Sequence, residues 1–305
     1  MTHNHLEMDN THEGRIRHTM AEYGTDVDGA AVEAAVEKIL QEDAPGNNTA
    51  EVKRTLLSCL DLTSLRSTDN DQSIIDLVDK VNDFTSAYPT LPYVAGVCVY
   101  PCFADVLKSS LSAPGVQRVC VAGSFPTSQA RVEVKVAEVS LAVADGANEI
   151  DIVLPVGKFL ADDLEEAASE IEQQKEACRG AHLKVILETG LLPTYGDIRR
   201  ASILAMYSGA DFIKTSTGKE KVSATPQAAY VMCQAIKEYH QKTGTKIGFK
   251  PAGGINTVED AIAYYSIVER VLGKEWLNNK LFRIGTTRLA NLLVGEIEGQ
   301  PCNYF

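Results

Sequence analysis

Hydrophobic positions change their spacing near residue 50. Before it, Val32, Ala35, Val36 and Ile39 fall at i, i+3, i+4 and i+7. That spacing predicts one amphipathic helix, ended by Ala44-Pro45-Gly46-Asn47-Asn48. After residue 50 the apolar positions gather into short continuous runs: 55–62 (TLLSCLDL), 95–100 (AGVCVY), 118–122 (RVCVA), 149–154 (EIDIVL), 183–188 (LKVILE), 210–215 (ADFIKT), 246–250 (KIGFK) and 281–285 (LFRIG). Runs without polar alternation predict strands buried on both faces, as in a parallel sheet. Helical spacing fills the intervals, for example 130–145, 164–178, 226–242 and 257–272. Thr225-Pro226 and Asn256-Thr257 supply cap and first-turn chemistry for two of these helices.

Eight strand–helix alternations predict an α/β chain that closes as a single (β/α)8 TIM barrel. An open doubly wound sheet is the alternative, but no GxGxxG follows the first run. The expected organisation is an N-terminal extension over 1–50, partly disordered and then helical. A barrel catalytic domain over 51–295 and a C-terminal tail over 296–305 follow.

Composition narrows the partners. Of 305 residues 45% are hydrophobic and 23% charged, which suits a soluble globular protein. A net charge of -12 argues against nucleic acid and anionic membranes, so an anionic substrate would need a few placed cations. No apolar run is long enough to span a bilayer, and the first twenty residues lack the apolar core of a signal peptide. Seven scattered cysteines without a CxxC pair read as reduced thiols, and the expected setting is cytoplasmic. Asn47-Asn48-Thr49 is a glycosylation sequon in form, read here as a loop.

In such a barrel the chemistry sits at the C-terminal strand ends. There the chain offers Asp61 and Thr63 on the first strand, Asp151 on the fourth, Lys214 on the sixth and Lys250 on the seventh. Side chains alternate across a strand, so Phe212, Lys214 and Ser216 share one face, as do Glu149 and Asp151. With Ile213 and Phe249 packed outward on helices, Lys214 and Lys250 point into the barrel mouth. Two buried ammonium groups beside one carboxylate are expected to depress at least one lysine pKa. A neutral lysine amine is a nucleophile toward a carbonyl carbon.

The stretch Ser216-Thr217-Gly218-Lys219 looks at first like the end of a nucleotide loop. It fails that test, because Ile213 stands where the first glycine is required and Glu220 where a hydroxyl is. A barrel phosphate site fits better: Gly253 and Gly254 after the seventh strand, Thr286 and Thr287 after the eighth, with Gly218 and Lys219 from the sixth. No histidine falls at a strand C-terminus, so no metal site and no cofactor are expected.

ADFIKTSTGK, GFKPAGGI, GANEIDIVLP, GVCVYP and DLTSL stand in the order found in deoxyribose-phosphate aldolases, and beyond the first 50 residues and the tail the chain resembles that family. The resemblance implies reversible cleavage of 2-deoxy-D-ribose 5-phosphate to acetaldehyde and D-glyceraldehyde 3-phosphate. It implies Lys214 as the imine-forming lysine, Lys250 as its pKa-perturbing neighbour and Asp151 in the proton relay. Asp61, Thr63, Leu65, Cys98 and Thr215 are then expected around the substrate, and a homodimer is expected. Tyr304, next to last in the chain, becomes a candidate proton shuttle. The competing readings are another Schiff-base sugar-phosphate or keto-acid aldolase, and a non-catalytic sugar-phosphate-binding protein.

Overall fold

A computed structural model describes residues 12–305. Its strands are Leu60–Thr63 (β1), Gly96–Val99 (β2), Gln117–Val121 (β3), Glu149–Val153 (β4), His182–Ile186 (β5), Phe212–Lys214 (β6), Gly248–Lys250 (β7) and Ile284–Thr286 (β8). They pair in parallel in the order β7-β6-β5-β4-β3-β2-β1-β8. The ring closes between β7 and β8 through the Phe249–Phe282 and Ala252–Gly285 bridges. Phe249 N donates to the Leu281 carbonyl at 2.9 Å, and Arg283 N to the Phe249 carbonyl at 3.0 Å. Closure rules out the open sheet.

The helices are His12–Ala21 (α1), Gly29–Glu42 (α2), Ala50–Ser58 (α3), Asp71–Asn82 (α4), Phe84–Ala87 (α5), Ala104–Ser110 (α6) and Val132–Ala144 (α7). Val156–Leu160 (α8), Leu164–Ala177 (α9), Tyr195–Tyr207 (α10), Pro226–Thr243 (α11), Val258–Leu272 (α12) and Leu289–Glu298 (α13) follow. The anticipated caps form: Thr225 accepts from Ala228 N, and Thr257 with Asp260 makes a capping box. The first apolar run needs correction. Val52, Leu56 and Leu57 are buried on one side of α3, entered from the Thr49 cap, and only the end of that run is strand. A run without polar interruption cannot by itself separate a buried helix from a buried strand.

The extension is more structured than its polar sequence predicts. α1 packs on α9 and α10, and α2 on α11 and α12. Ile16, Met20 and Tyr23 join the core that lies between strands and helices. Arg199 donates to the carbonyls of Tyr23 (2.7 Å) and Gly24 (2.8 Å), and the Tyr23 and Tyr207 hydroxyls pair at 2.8 Å. Disorder was expected chiefly for the first residues; residues 1–11, with His3 and His5, lie outside the described residues. The sequon is tied down: Asn47 Nδ2 donates to Ser266 Oγ (3.0 Å) and Glu269 Oε2 (2.9 Å).

Candidate active site

Strand alternation divides the barrel interior into two unlike halves. Cys98, Val119 and Val121 with Leu65 form an apolar cluster of their own on the β2–β3 side. The remaining strands turn charged groups inward: Asp61 from β1, Glu149 and Asp151 from β4, Lys184 from β5, Lys214 from β6, Lys250 from β7 and Arg283 at the start of β8. Two glycines relieve crowding in this interior. A side chain at Gly248 would meet the Phe212 ring, and one at Gly96 would meet Asp61 Oδ1.

The charges form one connected network. Lys214 and Lys250 both donate to Asp151 Oδ2 at 2.9 Å, and Lys184 donates to Asp151 Oδ1 at 2.9 Å. Lys250 also reaches Asp61 Oδ2 at 2.5 Å. Beneath them Arg283 bonds Asp61 Oδ1 (2.7 Å) and Glu149 Oε1 (2.8 Å), and Lys184 lies 2.7 Å from Glu149 Oε2. Three carboxylates therefore answer four cations, and among the three lysines Lys214 is the most accessible. Its side chain keeps 4% of its surface accessible, whereas Lys184 and Lys250 keep 0%.

Burial opposes the charges on Asp61, Glu149, Asp151, Lys184, Lys250 and Arg283, and the ion pairs outweigh it. Lys184, Lys214 and Lys250 together hold the Asp151 carboxyl well below the usual carboxylate range. Asp61 is held down by Lys250 and Arg283, and Glu149 by Lys184 and Arg283 with His182 assisting. Asp151 and Asp61 hold the Lys250 ammonium above the ordinary lysine range, and Asp151 and Glu149 do the same for Lys184. The depression expected from crowded ammonium groups therefore falls on neither, because each is wedged between two carboxylates.

The residues expected to bind an anion also converge. Gly218, Gly253 and Gly254 all have positive φ (77°, 80° and 77°). A side chain on Gly253 would stand 3.2 Å from the Gly218 Cα, so the loops after β6 and β7 lie against each other. Gly285 N donates to the Pro251 carbonyl at 3.0 Å, which brings the loop after β8 alongside. Thr286 Oγ1 accepts from Leu289 N at 3.3 Å and keeps its own proton to donate. Thr287 spends its proton on the Thr63 carbonyl at 3.0 Å, so its side chain joins β8 to β1. Lys219 Nζ donates to the Leu65 carbonyl at 2.7 Å, reaching from the β6 loop to the loop after β1.

Two expected residues sit elsewhere. Thr215 is fully buried, donating to the Ala252 carbonyl (3.2 Å) and accepting from its N–H (3.0 Å), so it clasps the β7 loop instead of facing a substrate. Tyr304 donates to the Lys80 carbonyl (3.0 Å) in the last turn of α4, toward the opposite end of the barrel from the strand C-termini. Asn291 Oδ1 accepts from both Tyr304 N and Phe305 N at 2.9 Å, and the rings pack on Phe84 and Tyr88. Tyr304 is thus not brought to the mouth. Of the remaining expected residues, Cys98 is fully buried beside the lysines and Thr63 bonds the Asp61 carbonyl at 3.0 Å. His182 and His240 are not at the mouth either: one begins β5, and the other bonds the Thr245 carbonyl after α11.

Residues 55–270 match the model of the DeoC/LacD family aldolases. This chain belongs to that family. A Caenorhabditis elegans protein is 44% identical over 88% of this chain and 88% of its own length. Human deoxyribose-phosphate aldolase is 42% identical over 79% of this chain and 78% of its own. Among solved structures, the tetrameric deoxyribose phosphate aldolase from Aeropyrum pernix superposes with a TM-score of 0.67 at 24% identity, covering 85% of this chain and 97% of that one.

For a DeoC/LacD aldolase the strand-end residues were the legible ones; the layer beneath them was not. Glu149, Lys184 and Arg283 are three of the seven groups in the buried network, yet no role follows for them from the sequence. Period-two counting does flag them: Glu149 shares a face with Asp151, and Lys184 falls on the inward phase of β5. Arg283 immediately precedes β8 and shares the inward phase with Gly285. Glu188, just after β5, gave no sequence signal.

Proposed function

We propose that this chain cleaves 2-deoxy-D-ribose 5-phosphate reversibly to acetaldehyde and D-glyceraldehyde 3-phosphate, through an imine on Lys214. One observation carries the choice of nucleophile. Among the three buried lysines joined to Asp151, only Lys214 retains accessible surface. Charge balance supports it, because the cluster is neutral when Lys214 is a free amine and the other six groups are ionised.

The Lys214 amine attacks the C1 aldehyde, and loss of water leaves a protonated imine. The imine draws the electrons of the C2–C3 bond as a base removes the C3 hydroxyl proton. C3 departs as the aldehyde carbon of glyceraldehyde 3-phosphate. Protonation of the enamine at C2 and hydrolysis release acetaldehyde and restore the amine. Asp151 orients Lys214 and, with Lys250 and water, serves these proton transfers, each supplying about 10²–10⁴-fold. Asp61 anchors Lys250, and the apolar wall of Leu65 and Cys98 faces the deoxy side of the sugar. The phosphate rests on the Gly218, Gly253 and Gly254 backbone and Thr286, with Lys219 as the nearby cation. Seven free cysteines fit a cytoplasmic setting. No described helix is long and apolar enough to cross a membrane. We include a homodimer in the proposal, with light scattering as its measurement.

Incubation with 2-deoxyribose 5-phosphate and borohydride, followed by peptide mass spectrometry, tests this reading. The expected result is a reduced two-carbon or five-carbon adduct on Lys214. An adduct on Lys184 or Lys250 instead, or none, overturns it.

A further inference from the structure

Glu188 is a buried carboxylate that the chemistry above does not use. It follows β5 and is 2% exposed. Its backbone is left-handed (φ 53°, ψ 58°), a conformation that costs a residue with a Cβ about 1 kcal/mol. The kink has a visible effect on the ladder. Leu187 N donates to the Lys214 carbonyl and Thr189 N to the Thr215 carbonyl, so two steps along β5 meet one step along β6. That compression turns the Glu188 side chain toward the loop that leaves β6.

Both carboxylate oxygens are then spent on one residue. Thr217 Oγ1 donates to Glu188 Oε2 at 2.5 Å, and Thr217 N lies 3.2 Å from Oε1 and 3.4 Å from Oε2. Thr217 Oγ1 in turn accepts from Lys219 N at 3.0 Å. No cation is paired with the carboxylate among the described residues, and burial pushes its pKa up against the Thr217 bonds. A buried, unpaired carboxylate in a left-handed residue is costly twice over. What it secures is the path of Thr217, Gly218 and Lys219 beside Gly253.

We propose that Glu188 is a positioning residue that acts through Thr217 to hold the 216–219 loop in the shape that grips the substrate phosphate. The inference rests on the reading of Gly218 and Lys219 as part of the phosphate site.

The test compares 2-deoxyribose 5-phosphate with unphosphorylated 2-deoxyribose in steady-state kinetics. Glu188→Ala is expected to raise KM for the phosphorylated sugar about tenfold, the size of one lost hydrogen bond to a charged group, while kcat/KM on 2-deoxyribose changes less than about threefold. Thr217→Val gives the same split, Thr217→Ser restores the original KM, and the double variant is no worse than either single one. Equal losses on the two sugars, or effects that multiply in the double variant, overturn the proposal. If Glu188→Ala does not fold, the Thr217→Val and Thr217→Ser pair decides alone, and a Thr217→Val enzyme with unchanged KM overturns it. Lys219→Ala separates the two levels. If it leaves the ratio between the sugars unchanged, the phosphate-loop reading fails. If it changes the ratio and Glu188→Ala does not, only the role of Glu188 fails.

Discussion

At the scale of the residue, position in the ion network separates lysines that the sequence makes look alike. Lys214 and Lys250 follow equivalent strands and face the same oxygen of Asp151, but Lys250 is enclosed by a second carboxylate and Lys214 is open on one side. Lys214→Arg keeps a cation against Asp151 and removes the nucleophile. Activity is expected to vanish and borohydride trapping with it, while thermal stability changes little; a trapped adduct in this variant would show a different nucleophile. Asp151→Asn removes the charge that three lysines share. Breaking a buried ion network from one side costs about 3–5 kcal/mol, so the melting temperature is expected to fall by roughly 10 °C and turnover at least about a hundredfold. Calorimetry and a coupled aldehyde assay measure the two effects.

At the scale of the element, each loop at the mouth is held by a neighbour and not by its own sequence. Thr215 clasps the β7 loop, Thr287 ties β8 to β1, and Lys219 reaches the loop after β1. The C-terminal tail is such an element too, fastened by Asn291 and an aromatic cluster toward the far end of the barrel. Removing residues 301–305 is expected to lower the melting temperature by about 5 °C and to leave kcat unchanged. A loss of turnover with an unchanged melting temperature would assign the tail a catalytic task instead. Elements with strong local signals were legible, such as α12 with its Thr257–Asp260 capping box. The α3–β1 junction was not, because an unbroken apolar run has no period from which to read its secondary structure.

At the scale of the whole molecule, an acidic chain gathers four basic side chains and three carboxylates inside one barrel. Glu149, Asp61 and Asp151 have depressed carboxyl pKa values in the fold, so their contribution to stability is present above about pH 4, the unfolded range, and is lost as pH falls below it. Arg283→Met removes one of the cations responsible for Glu149 and Asp61. Their folded pKa values then move up, and acid unfolding followed by circular dichroism is expected to begin at a higher pH than in the parent. An unchanged acid transition would mean that Arg283 does not support these carboxylates. The extension acts at this scale as well, covering α9 to α12 from outside, a packing that its polar opening residues did not announce.

The sequence by itself determined the repeating strands and helices, the inward phase of Lys214, Lys250 and Asp151, and the glycines of the loops after β6 and β7. Those features are written locally, in spacing of two or of 3.6 and in residues that only certain backbone angles admit. Only the tertiary structure decided which lysine stays reachable, that Glu149, Lys184 and Arg283 underlie the site, and that Glu188 reaches Thr217. It also decided that Thr215 and Tyr304 are occupied elsewhere. The physical reason is that burial and pairing of charge depend on groups from different strands meeting when the barrel closes. No local pattern records which of them will meet.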